Sequence, residues 1–432
     1  MPAEATSVER PLTASGLGSV AWRGGWAITD HALVAASQLL LHLVLARLLP
    51  SPSYGAFAIA YGVVAAGAAL HAAFLAEPPL VLARRAFAGA RGAYLGALVL
   101  LHGAATLGLA LIVAATVVLA LPDPDSQIGW TVLAAAASLP ALLLLTLLRR
   151  FAYAWGDPRR AAQGSAVHAV ALVAGLVLVL QRDLLSPAVA FACLAAASLL
   201  ASVSLLAAMR TRVRRPDLAF VKEVLAGHLA YGRWAALAAL ILWIPWNAHY
   251  WILAGIRPLE EIAAIRAAQN VSLPIAHLLA ALSTLALPVL AAQISSRSED
   301  TARATAQRWG LLLAAAAGAY FLVVLVLGER ALDLVYGGAY PEAVALAPAV
   351  AAIHLPLAGI MWMTLLHRSV ARTDRAFRTW LPYGLLSFLV GGLGWTIGGP
   401  HGLVTGIFLA ALVTLALGAA SFRAQSPWGA RR

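Results

Sequence analysis

The sequence predicts an all-α integral membrane protein of about twelve transmembrane helices in two six-helix bundles, with both termini cytoplasmic. Three observations predict it. Of the 432 residues, 62% are hydrophobic and only 11% charged, outside the range of soluble domains. The apolar residues collect in twelve stretches, each near the roughly 20 residues that cross a bilayer core. The basic residues sit between alternate stretches, so that 25 of the 30 fall on one side of a twelve-span arrangement. Short loops rich in Lys and Arg stay cytoplasmic.

In chain order the predicted spans are 26–49, 54–83, 94–121, 128–148, 161–181 and 187–209, then 232–255, 260–293, 309–328, 342–366, 379–398 and 401–422. The first is too long for a signal peptide and lacks a small-residue cleavage site. Cys193, the one cysteine, lies in the sixth span and can form no internal disulfide. The predicted organisation is a cytoplasmic tail (1–21), a first bundle (22–209), a cytoplasmic linker (210–231), a second bundle (232–422) and a cytoplasmic tail (423–432). A net charge of +12 would point to nucleic acid in a soluble chain. Here the basic runs are loop faces beside anionic lipid, and no nucleic-acid partner is expected. The opposite connections are short; the longest, "GERALDLVYGGAYPEAV", is too small to house a soluble domain.

The basic linker divides the chain in the middle, which invites a repeat search. A shift of 207 residues lays Leu49–Ala60 over Ile256–Ala267, each a short outer turn between two long helices. Arg23 with Trp22 and Trp26 is echoed by Arg233 with Trp234. Transporters built from such repeats hold substrate between the halves.

The stretch "LARLLPSPSYGAFAIA" from Leu45 resembles the signature joining the first two helices of Wzx-type polysaccharide flippases. These belong to the MATE-like multidrug, oligosaccharidyl-lipid and polysaccharide exporter (MOP) superfamily. "PLEEIAAIRAAQNVSLPIAHLLAALSTLALPVLAAQ" from Pro258 is similar to the family's eighth helix, and "ALDLVYGGAYPEAVALAPAVA" from Ala331 to its outer loop before the tenth. Two features depart from the pattern: the usual Gly-Pro-acid-acid turn is Pro50, Ser51, Pro52 and Ser53, and Arg257 stands where glycine is common. The resemblance implies a MATE-like fold in the bacterial inner membrane. It implies translocation of a polyprenyl-diphosphate-linked oligosaccharide to the outer leaflet for O-antigen, lipopolysaccharide or exopolysaccharide synthesis. Membrane lipid, a polysaccharide polymerase and glycosyltransferases are the partners it implies. The rival readings are a cation-coupled exporter of drugs or metabolites and a membrane polymerase or ligase.

Candidate site residues follow from the cost of polar groups in lipid. A charge at mid-bilayer costs about 2.5–3.5 kcal/mol on insertion scales, so it faces a cavity or a partner. Arg23, Arg47, Arg233 and Arg266 are candidates to line a lumen and grip a diphosphate, because guanidinium forks bind phosphate oxygens in pairs. The alternatives are positive-inside flanking for Arg23 and Arg233, and snorkelling to headgroups for Arg47 and Arg266. Asp30 and Glu77 are either a cation site or gate near the inner mouth, bonded to Arg23 or Arg233, or a structural ion pair. Trp246, Asn247 and His249 in "LWIPWNAHYWIL" form either a sugar-contacting wall or part of an interfacial aromatic belt. His42, His71, His102, His168, His277 and His354 share no spacing and match no metal motif, so they are expected to be interhelical. Without a GxxxxGK[ST] loop the chain is expected to need no bound cofactor, its energy coming from an H⁺ or Na⁺ gradient or from the substrate's own. The "DPD" at Asp123–Asp125 reads as a turn between prolines, and no catalytic set for an enzyme stands out.

The topology is directly testable. A reporter active only in the cytoplasm should work when fused after Arg215 and after Arg375, and one active only outside should work after Asp125 and after Gly338. Cytoplasmic signals at the last two sites would void the predicted orientation.

Overall fold

The computed structural model describes residues 14–424 apart from 84–85, 122, 124–125, 210–212, 297–298 and 371, and every regular element among them is helical. A bilayer core leaves no alternative for a chain this apolar, since each backbone N–H and C=O must find its partner within its own segment. The first half comprises α1 (Ala14–Leu48), α2 (Ser51–His71), α3 (Pro78–Leu82), α4 (Arg91–Ala120), α5 (Gln127–Ala154), α6 (Pro158–Gln181) and α7 (Pro187–Ala208). The second comprises α8 (Leu218–Trp243), α9 (His249–Leu253), α10 (Leu259–Gln269), α11 (Ser272–Ser296), α12 (Glu299–Tyr336), α13 (Pro341–Ala352), α14 (His354–Ser369) and α15 (Thr373–Ala424). Exposed apolar side chains such as Leu119, Val326 and Ile397 face outward toward lipid.

The sequence marks where helices begin. Ser126, Ser186 and Asp217 each accept a hydrogen bond from the backbone N–H three residues on, capping α5, α7 and α8. Pro158 and Pro187 occupy first-turn positions, where their missing N–H costs nothing. Interruptions within spans also have local causes. One π turn, Ala72–Ala76, leads from α2 into the Pro78–Pro79 start of α3. A second, Ile244–Ala248, contains Pro245 and joins α8 to α9.

Ten helical segments are long and apolar enough to cross a bilayer, and α10 with α11, bent by 42° around Asn270 and Val271, makes an eleventh. The twelfth pass is hidden in α15. Its 52 residues contain Gly398 and Gly399 in non-helical conformations, the latter at φ 56°. Beyond them the backbone doubles back: a Cβ on Gly394 would lie 2.1 Å from the Gly402 carbonyl oxygen, and one on Gly406 2.4 Å from that of Val390. Only glycine permits so close an antiparallel approach. The break falls where the sequence separates spans 379–398 and 401–422.

Two sequence expectations shift. The long outer loop "GERALDLVYGGAYPEAV" is mostly helix: α12 continues to Tyr336, and the turn is made by Gly337 and Gly338 at φ 62° and 79°. Hydropathy misses the extension because Glu329, Arg330 and Asp333 break the apolar run without breaking the helix. The repeat register also moves by one. Pro50 caps α2 at φ −55°, ψ 143°, and Pro258 caps α10 at φ −60°, ψ 145°, so the turns correspond at a spacing of 208.

The buried core divides along the membrane normal. The ends of the passes that carry the basic loops are termed the arginine-rich face. Toward the opposite face, one continuous core joins both halves, with Leu41, Tyr54, Phe57 and Phe191 against Ile262, Tyr336 and Ile407. Toward the arginine-rich face it separates. One core there gathers Tyr94, Leu148 and Phe151 with Val224 at the start of α8, and others hold α11, α12 and α14 together around Leu279, Leu313, Leu290 and Leu365. Toward that end the halves still touch through α8, where His228 is bonded to the Tyr94 hydroxyl and the Phe74 carbonyl at 2.8 Å each, while α11, α12 and α14 pack in cores of their own.

The α15 hairpin yields a stability prediction. Gly402→Val should lower the unfolding temperature, since intrusion into a packed backbone contact costs about 1–3 kcal/mol. Gly392→Ala, with open space around the added carbon, should leave it unchanged. Size-exclusion chromatography of heated, detergent-solubilised protein reads the difference; equal midpoints would mean that the two arms are apart.

Candidate functional site

The joint at the face opposite the arginines is built from backbone as much as from side chains. A Cβ on Gly55 of α2 would lie 2.2 Å from the Leu259 carbonyl oxygen of α10, so the two proline turns meet in van der Waals contact. Asn270 donates to the hydroxyls of Tyr54 at 2.9 Å and Tyr336 at 3.2 Å, and Tyr336 donates to the Ala267 carbonyl at 2.9 Å. Arg47, at the end of α1, donates to the carbonyls of Leu334 and Val335 at 2.7 and 2.8 Å. A cation on the last carbonyls of a helix satisfies orphan acceptors and complements the helix dipole. Arg47 thus clasps α12 from the other half through one guanidinium nitrogen, Nη1, at an exposed position.

Directly beneath this joint lies Arg266. It is 7% exposed, so it does not snorkel. Its Nη2 donates to His42 Nε2 of α1 at 2.9 Å, and its guanidinium lies 5.1 Å from the ring centre of Tyr61 of α2. A guanidinium can only donate, so His42 presents a bare Nε2 and is neutral in this contact. The groups acting electrostatically on Arg266 are Tyr250, Tyr54 and Tyr61, with no carboxylate among them. Tyr250 donates to Gln269, one helical turn after Arg266. The result is a buried positive charge held by neutral partners from both halves.

Arg266, Gln269 and Ser272 form one edge of a cavity of about 340 Å³ that continues between α8, α11, α14 and α15. Its far wall is aromatic, with Trp246, Trp380 and Tyr383, and His354 stacks on Trp246 at 5.7 Å. Arg266 Nε, Ser272 Oγ and His354 Nε2 are buried without a hydrogen-bond partner in this structure. Buried polar atoms are normally paired, and these three belong to residues that line one cavity.

The remaining candidates disperse. Asp30 is fully buried, and its carboxylate takes four hydrogen bonds: from Arg149 Nε at 2.9 Å and Nη2 at 2.6 Å, Tyr153 at 2.8 Å and Ser165 at 2.5 Å. Its partner is Arg149, not Arg23 or Arg233, because α5 extends to Ala154 and carries Arg149 inside the helix rather than in a flanking loop. Glu77, half-buried, neighbours Tyr231 of α8 and is not among the groups bonded to Asp30. Arg233 is exposed on α8; Arg23 lies in α1 with its side chain outside the described residues. Of the candidates Trp246, Asn247 and His249, Trp246 lines the cavity, with Leu242 beside it from the same stretch. Asn247 donates to the Trp243 carbonyl at 3.2 Å and sits against Gly62, while His249 stacks on Phe388. The π turn around Pro245 rotates successive side chains onto different neighbours, which helical spacing alone does not foretell. Tyr61, Gln269 and Tyr383 escaped sequence reading, which places His42 and His354 only as interhelical histidines. Only Gln269 carried a local signal, three residues after Arg266 on the same helix face.

A scan of protein-family models finds no match for this sequence, and no curated protein matches it. Solved structures do match. An inward-facing multidrug resistance MATE family transporter of the MOP superfamily aligns over 92% of this chain and 98% of its own, with TM-score 0.74 and 12% identity. The lipid II flippase MurJ, in an inward closed conformation, aligns over 92% and 87% with TM-score 0.70 and 11% identity. A MOP superfamily transporter from Pyrococcus furiosus, described as having a binding pocket of reversed polarity, aligns over 94% and 96% with TM-score 0.65 and 12% identity. The chain is a multi-pass membrane protein with the fold shared by these transporters.

The Asp30 cluster carries a testable consequence. Asp30→Asn strands Arg149 and should cost about 3–5 kcal/mol, whereas Asp30→Leu combined with Arg149→Met, which removes both charges, should cost clearly less. Unfolding midpoints of the purified variants compare the two. A double variant less stable than Asp30→Asn would show that the pair is not the stabilising unit.

Proposed function

We propose that the chain is a flippase that moves a polyprenyl-diphosphate-linked oligosaccharide from the inner to the outer leaflet of the bacterial inner membrane for surface polysaccharide synthesis. Arg266 carries this reading: a buried guanidinium at the junction of both halves, surrounded by neutral groups, on a cavity with unsatisfied polar atoms and aromatic walls. A positive charge in lipid without a carboxylate partner is stabilised by an anionic guest, and a diphosphate offers the oxygens that a guanidinium fork binds best. Flat aromatic faces beside donors accommodate sugar rings. A polyprenyl tail can remain in the bilayer. An exporter of organic cations needs the reverse, a carboxylate open to the cavity. Among the described residues the fully buried acid is Asp30, and both its oxygens are taken.

In this reading the arginine-rich face is cytoplasmic and the inward opening lies on that side. Arg23 and Arg233, near that face, meet the head group first, and Arg266 receives its phosphates under the joint. Trp246 contacts the sugars. Transfer outward requires the Arg47 clasp on α12 and the Tyr54–Asn270 bond to open as the 22–209 and 232–422 units rock. Ion coupling, if H⁺ or Na⁺ drives the cycle, falls to Asp30 through opening of its pair with Arg149, or to Glu77. The cycle is transport, with no chemical step assigned to the chain.

The test is complementation of a deletion strain at matched membrane abundance, with surface glycan as the readout. Arg266→Gln should lower glycan at least tenfold, and Arg266→Lys should retain part of it, since the charge remains while the fork is lost. Full glycan with Arg266→Gln overturns the phosphate role. A deletion strain with normal glycan but heightened sensitivity to cationic drugs would favour a drug exporter instead.

A further inference from the structure

A second cavity, separate from the Arg266 cluster, lies at the arginine-rich end of the second half. It measures about 370 Å³ and sits between the last turn of α14 and both arms of α15. His367 lines it from α14, Arg375 and Arg378 from the first arm, and Thr414 and Ser421 from the second. Over residues 367–378 the chain carries Arg368, Arg372, Arg375 and Arg378 against one acid, Asp374. That acid is engaged by Arg372 at 3.3 Å, so the mouth is net cationic.

The hydrogen-bonding groups sort by type. Thr414 and Ser421 donate their hydroxyl hydrogens to the carbonyls of Ala410 and Gly418 on their own helix, at 2.8 and 3.0 Å. The two guanidiniums, each with five N–H donors, can serve a guest in addition to contacts within the protein, with the imidazole of His367 at the cavity wall. Pro382, also lining the cavity, has no N–H, which leaves the Arg378 carbonyl without its helical donor. The site thus offers guanidinium donors from two successive turns of the first arm for an anion. One wall continues straight into lipid. Leu417 lines the cavity and is 52% exposed, and Leu409, Leu412 and Val413 on the same arm are exposed as well.

We propose that this cavity binds the phosphate of an anionic phospholipid, with its acyl chains along the second arm of α15. Cationic pockets between spans at headgroup depth are where such lipids are held. Inorganic phosphate shares the head chemistry but lacks the chains, and a zwitterionic lipid shares the chains but lacks net charge. Occupation would tie the α15 hairpin to α14 at the arginine-rich end.

The experiment uses the full-length protein in detergent, with dioleoyl phosphatidylglycerol, dioleoyl phosphatidylcholine and inorganic phosphate as probes and the unfolding midpoint as readout. Phosphatidylglycerol should raise the midpoint in a saturable way and the other two should not. Arg375→Gln with Arg378→Gln should weaken the phosphatidylglycerol response at least tenfold in concentration, while Arg372→Gln, whose side chain bonds Asp374 outside the cavity, stays within twofold of the unaltered protein. Should the double variant not fold, Arg378→Gln alone, at an exposed position, should weaken the response at least threefold. An equal response to phosphatidylcholine, an equal response to phosphate alone, or an undiminished response in the folded arginine variant overturns the proposal.

Discussion

The hydrocarbon core refuses an unpaired polar group, and most of this structure follows from that refusal. Helices are the local answer, since they close their own hydrogen bonds. Charges that enter the core need a further answer, and the chain supplies two kinds. Asp30 is neutralised within its own half by Arg149 and two hydroxyls. Arg266 is instead held by dipoles and a ring face, His42 and Tyr61 from α1 and α2. The first arrangement closes a site, and the second leaves a charge still seeking an anion.

That contrast also separates fixed contacts from contacts that can be exchanged. The Asp30 cluster links α1, α5 and α6 inside one half, so rocking of the halves does not by itself break it. The bonds of Arg47 to α12, of Arg266 to His42 and of Asn270 to Tyr54 run between halves. Each ends on a carbonyl, an imidazole or a phenol, partners that water or a guest can replace, because a net hydrogen bond contributes only about 0.5–1.5 kcal/mol, or about 1.5–3 kcal/mol with a charged donor. A joint of many modest bonds around backbone contact at Gly55 can close firmly and still open.

Prolines and glycines place these groups. Pro50 and Pro258 start α2 and α10 with nearly the same backbone angles, bringing two equivalent turns together across the joint. Pro245 and its π turn send Trp246 into the Arg266 cavity and Asn247 and His249 elsewhere. In α15, Gly394, Gly402 and Gly406 let two passes touch backbone to backbone. Such positions cost helix propensity, and here each one sets a contact that side chains alone could not make.

The sequence by itself determined the class and the number of passes, because both depend on quantities summed along a segment: apolar length, basic loops and the Gly-Gly-Pro break at 398–400. It also singled out Arg266, since a charge inside an apolar run is visible without knowing its neighbours. Only the tertiary structure decided what each charge meets. Arg47 and Arg266 look alike in sequence, yet one clasps the end of α12 and the other is buried under the joint. Asp30 found Arg149, 119 residues away, and the cavity gathered Arg266, Trp246, His354 and Tyr383 from four passes. Partner choice depends on which helix faces meet, and hydropathy carries little of that information when nearly every face is apolar.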